Sequence, residues 1–86
     1  MSRQAFGAAL REHRKKRHLS QEALAFEAGL DRTYISLLEL GQRSPTLDTM
    51  QQIAQALRLK VSTLVIRMET IQQSKNDKSN DEASAK

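Results

Sequence analysis

Three residues, Gly29, Leu30 and Asp31, are all that separate two short stretches in which apolar side chains recur three and four apart. A link this short, with a glycine free to take positive φ and an aspartate suited to capping, forces two helices to cross steeply instead of lying antiparallel. The same spacing runs through residues 1–73 and no stretch alternates with period two, so the chain reads as all-α. Caps flanked by apolar residues, which staple a first turn, mark the starts: Ser20 between Leu19 and Leu24, Asp31 between Leu30 and Ile35, Ser62 between Val61 and Ile66. Gly29 and Gly41 supply stops, and Ser44-Pro45 is a breaker beyond the second. The predicted map is helix one over 3–16, helix two over 21–28, helix three over 32–40, helix four over 47–57 and helix five over 63–73, a compact five-helix bundle.

Eighty-six residues allow one small domain and exclude a multi-domain enzyme. The domain is expected over 1–73, because residues 74–86 offer no large apolar side chain and read as a disordered polar tail. With no Cys, neither a disulfide framework nor a thiolate metal site is available, which fits a reducing compartment. No apolar run is long enough to span a bilayer and the N-terminus lacks a secretory pattern, so the expectation is a soluble cytoplasmic protein. Formal charge is +4, with the surplus in residues 1–43, where eight Lys and Arg face five Asp and Glu. Such an excess suits a polyanionic partner.

Catalysis finds no footing. His13 and His18 lie five apart, off a shared helix face, and no carboxylate pair completes a ligand set, so no metal is expected. No Ser–His spacing suggests a nucleophile, and no Gly-rich loop suggests a phosphate or cofactor site. Helix three is more informative. Tyr34, Ile35 and Leu38 share an inward face, whereas Arg32, Thr33 and Ser36 fall elsewhere near its amino end. An Arg and two hydroxyls at the leading end of a groove-sized helix suit base reading; periodicity alone leaves a solvated polar face as the alternative.

The run from Leu19-Ser20-Gln21-Glu22-Ala23 through Gly29-Leu30-Asp31-Arg32-Thr33-Tyr34-Ile35-Ser36 to Leu38-Glu39-Leu40-Gly41 resembles the lambda-repressor and Cro type helix-turn-helix domain, the XRE family of bacterial and phage regulators. Its Asp-Arg-Thr-Tyr-Ile-Ser segment is similar to the controller proteins of restriction-modification systems. The resemblance covers about residues 3–68. It implies a five-helix domain, usually a homodimer on an inverted repeat of double-stranded DNA. Carried onto this chain, Gln21 contacts a phosphate, Arg32 and Thr33 read bases, and Tyr34 lies against the backbone or a base step. Ser36 approaches bases further along, and Arg43 reaches phosphate or base. Arg14 and Glu39 form a partly buried structural salt bridge between helices one and three. His18 stands where the family usually has glycine, and Leu37 and Leu40 where it commonly has polar groups; the two leucines either meet thymine methyls or pack on the linker and helix four.

Two features bear on partners. Arg14-Lys15-Lys16-Arg17-His18 is a phosphate-steering patch, a membrane-surface or calmodulin-like basic helix, or a solvated helix end whose cations suit the dipole; the last is favoured, and the membrane reading is weak because Phe6 and Leu10 are needed by the core. On helix five, Leu64, Met68 and Ile71 form an apolar stripe at i, i+4 and i+7; spacing leaves a dimer seam and a surface for helix one equally open, and the family resemblance favours the dimer seam. The expected function is therefore a sequence-specific, homodimeric, double-stranded-DNA-binding transcriptional regulator, without cofactor, membrane or evident small-molecule ligand. The alternative is a protein-interaction or antitoxin-like module with only weak DNA binding.

Overall fold

The computed structural model describes the backbone of residues 2–84 and the side chains of residues 2–74. Four of its helices start on a polar cap whose side chain accepts a hydrogen bond from an otherwise orphaned backbone N–H. Ser2 opens α1 (Arg3–Lys16), Ser20 opens α2 (Gln21–Ala28), Asp31 opens α3 (Arg32–Glu39) and Thr46 opens α4 (Leu47–Ala56). The fifth, α5 (Val61–Ser84), begins two residues before the predicted start. Ser62 is consequently inside the helix and is no cap, and Ile66 is 61% exposed, so the staple expected there is not formed. At the other end the helical backbone continues through 74–84, where composition predicts a disordered tail. Side chains of residues 75–86 lie outside the described residues.

The ends of α1 to α4 share one geometry, in which the backbone turns left-handed and two N–H groups reach back to orphaned carbonyls. At the α2 end, Leu30 N–H donates to the Ala25 carbonyl at 2.9 Å; at the α1 end, Leu19 N–H donates to that of Arg14 at 3.1 Å. Gly29 and Gly41 take φ of 71° and 74° without steric penalty, whereas His18 and Arg58 take 57° and 58° against one. His18 thus carries the strain that the missing glycine implies, and the α4–α5 junction carries the same strain at a position the sequence does not flag.

The core is one cluster to which every helix contributes, with Phe6, Leu10, Leu24, Ile35, Leu38, Ile53, Leu57, Leu64 and Met68 fully buried. Helix α1 packs across both α3 and α5, α2 against α3 and α4, and α4 against α5. The stripe read as a dimer seam is corrected here: Leu64 and Met68 are 0% and 2% exposed within the single chain, and Ile71 is half-buried on the same cluster. Spacing finds the apolar side of an amphipathic helix but not what covers it, and here the chain's own core does. Outside the core, Glu12 and Arg67 tie α1 to α5 through two hydrogen bonds of 2.7 and 2.9 Å. The Arg67 hydrogen bond holds the Glu12 carboxyl below the usual carboxylate range. The pair's contribution is therefore present at neutral pH and lost as pH falls through that lowered value; both groups are over a third exposed, so salt screens it. No helix among the described residues is long and apolar enough to cross a membrane.

Candidate nucleic-acid interface

The turn between α2 and α3 aims one helix end outward. Gly29 terminates α2, Leu30 packs against the core, and the Asp31 carboxylate accepts the Thr33 N–H at 2.7 Å, fixing the first turn of α3. Ile35 and Leu38, both 0% exposed, lock the inner side of α3. Arg32 and Thr33 are consequently left exposed side by side at its amino end, with Ser36 half-buried one turn on.

Around this end the other candidate residues are held by the fold. Tyr34 is half-buried against the core; its hydroxyl donates to Thr49 Oγ1 at 3.4 Å, and the Arg43 guanidinium lies 5.6 Å from its ring centroid. Such a cation over an aromatic face is attracted to the ring quadrupole, which steadies an exposed loop arginine. Thr49, 7% exposed, is a buried polar residue, and its N–H and hydroxyl both bond the Thr46 cap. Sequence reasoning passes over Thr49, since a threonine inside a helix gives no signal until its partners are known.

Gln21 sits at the amino end of α2, half-buried, with Nε2 donating to Glu39 Oε1 at 3.1 Å. The Glu39 carboxylate also receives Arg14 Nε at 2.6 Å and a second guanidinium N–H at 3.0 Å, a bidentate pair whose side chains are 5% and 11% exposed. Hydrogen bonding to Glu39 raises the Arg14 guanidinium further above its ordinary range. One carboxylate therefore joins α1, α2 and α3. Of the basic run, Arg14 is spent in this pair and Arg17 donates to the Ala56 carbonyl at 3.2 Å, leaving Lys15, Lys16 and His18 exposed. Lys15 and Lys16 at the end of α1, His18 beyond it, and Arg32 and Thr33 on α3 are thus exposed groups able to donate to an anion. Among the described residues no group of His, Asp and Glu is arranged to hold a metal ion.

Known proteins share this arrangement. The control protein C.BamHI of Bacillus amyloliquefaciens is 44% identical over 61 residues, covering 70% of this chain and 75% of that protein. An uncharacterised HTH-type transcriptional regulator of Mycobacterium tuberculosis is 38% identical over 61 residues, 71% of this chain but only 44% of that protein. The chain thus spans less than half the length of that relative. Among solved structures, the restriction-modification controller protein C.AhdI from Aeromonas hydrophila superposes with a TM-score of 0.71 at 44% identity, covering 72% of this chain and 94% of its own. The helix-turn-helix family pattern matches residues 10–64, a span that includes α2, the Gly29 turn, α3 and the Arg14–Glu39 pair. The chain belongs to this family, the XRE-type helix-turn-helix proteins.

Proposed function

We propose that this protein is a cytoplasmic, homodimeric regulator that recognises an inverted repeat in double-stranded DNA by placing the amino end of α3 in the major groove. The observation that carries this reading is the exposure of Arg32 and Thr33 at a helix end whose opposite side is locked in the core. Arg32 pairs its fork of donors with guanine O6 and N7, and Thr33 and Ser36 meet neighbouring base edges. Gln21 and the free N–H groups at the start of α2 grip a phosphate, giving register without sequence information. Arg43, braced on Tyr34, reaches the flanking backbone or a base edge. The two roles separate experimentally. Arg32→Ala is expected to cost about 1–3 kcal/mol on the selected operator and little on random duplex, whereas Gln21→Ala weakens both alike. Enrichment of bound sequences from random DNA, followed by mobility-shift titration of both variants, checks this; equal losses on operator and random DNA for both variants reject the division.

The dimer, with Leu64 and Met68 taken up by the core, falls to the outer side of α5. Ile66 is the large apolar group exposed there, with half-buried Val65 beside it. Two such helices meeting about a twofold axis would set the α3 helices in successive grooves, with half-site centres about 34–36 Å apart. Ile66→Glu is expected to leave the fold intact and shift the protein from dimer to monomer in sedimentation at about 20 μM, because it places like charges in a self-complementary seam. A parent chain that sediments as a monomer with and without DNA rejects the dimer. The rival reading, a protein-interaction module, would rest on Phe26, 87% exposed on α2; failure to enrich any DNA sequence would favour it.

A further inference from the structure

One side of α3 changes chemistry along its length. Its amino half presents Arg32, Thr33 and Ser36; its carboxyl half presents Leu37, half-buried, and Leu40, 63% exposed. Thr33, Leu37 and Leu40 stand at i, i+4 and i+7, a single stripe, while Ile35 and Leu38 fill the core from the other side. The sequence left these leucines two uses, packing within the chain or apolar contact with a base. With most of Leu40 in solvent, packing does not account for it.

The surroundings of Leu40 fit a phosphate-lined groove. It borders a shallow hollow with Gln4, Ala8, Arg11, Glu12, Lys15 and Glu39. Both carboxylates there are already paired, Glu12 with Arg67 and Glu39 with Arg14, whereas Arg11 and Lys15 are exposed cations. At about 1.5 Å of rise per residue, Leu40 lies about 10 Å beyond Thr33 along the helix, a span of about three base-pair steps of 3.4 Å. Base edges in the major groove are mostly hydrogen-bond donors and acceptors, and the C5-methyl of thymine is the apolar group that projects from them. A leucine set against donors and acceptors would strip their water and return no bond. Against a methyl group it removes apolar surface from water on both sides.

We propose that Leu40, with Leu37 beside it, reads a thymine methyl in each half-site, beyond the bases met by Arg32 and Thr33. This rests on the reading of α3 as the groove helix. The operator enriched from random duplexes supplies the probe, with each thymine replaced in turn by uracil, which keeps the pairing and loses only the methyl. The parent protein is expected to lose about fourfold in affinity per substituted half-site at the contacted position. Leu40→Ala, whose fold is checked by melting, starts weaker by the same factor for each of the two half-sites on the thymine duplex and loses nothing further on uracil. Tolerance of uracil at every position by the parent, or an undiminished further loss by Leu40→Ala, overturns the proposal. Uracil tolerance with sequence enrichment intact and relaxed by Arg32→Ala removes the leucine contact alone. Absence of any enriched sequence removes the groove-helix reading and the leucine contact with it.

Discussion

Exchanging Gly7 for alanine is expected to lower stability by about 3 kcal/mol or more, at the upper end of what overpacking costs. In a domain of this size that corresponds to a fall of about 12–24 °C in melting temperature. The sign is the informative part, because alanine in an unhindered helix interior is worth about 1 kcal/mol more than glycine. Gly7 lies inside α1 where that helix crosses α3, and a Cβ there would meet the carbonyl oxygen of Leu38 and come within 2.6 Å of that of Glu39. Those neighbours are backbone, so no side chain can swing aside; one helix must move. Moving α3 away from α1 opens the contact that Phe6 and Leu10 make in the core and stretches the Arg14–Glu39 pair a few residues along. Thermal and denaturant melts of Gly7→Ala check this, and a melting temperature equal to or above that of the parent would show that the helices have room.

Gly7 also shows where sequence reading stops. The positions of Gly29, Asp31 and Ser20 announced the turn and two helix starts, because each acts on its own neighbours in the chain. The exposed end of α3 was legible for the same reason, since the inward spacing of Ile35 and Leu38 leaves Arg32 and Thr33 no other side. A glycine that permits close approach of another helix acts at a distance of about thirty residues, and its local signature is merely a weak helix former. Thr49 is hidden in the same way, as its role lies in Tyr34, fifteen residues earlier. The stripe on α5 was found and misassigned, because amphipathicity names a side and not a partner. In each case short-range stereochemistry could be read directly, whereas contacts between helices required the packing.

Removing Glu39 is the second large effect, and it is expected to act on two properties that can be separated. Glu39→Ala leaves the guanidinium of Arg14, a side chain 11% exposed in the parent, with the Leu19 carbonyl, at 2.9 Å, as its remaining partner. An arginine cannot shed its proton to escape. The cost is expected to be about 3–5 kcal/mol, as for other buried pairs broken from one side, and Arg14→Ala is expected to be similar. A loss below about 0.5 kcal/mol in denaturant melts of either variant would show that water compensates the orphaned charge. Replacing both groups by apolar residues of similar volume, Arg14→Met with Glu39→Leu, should recover most of that stability, because desolvating the pair offsets much of its attraction. DNA affinity should not return with it. Glu39 Oε1 also holds the Gln21 amide, and neither leucine nor methionine accepts a hydrogen bond there as a carboxylate does. The double variant is therefore expected to melt near the parent temperature while binding operator and random duplex more weakly by a common factor, as Gln21→Ala does. A double variant that regains affinity together with its melting temperature would separate Gln21 from Glu39 and leave the ion pair a purely structural tie.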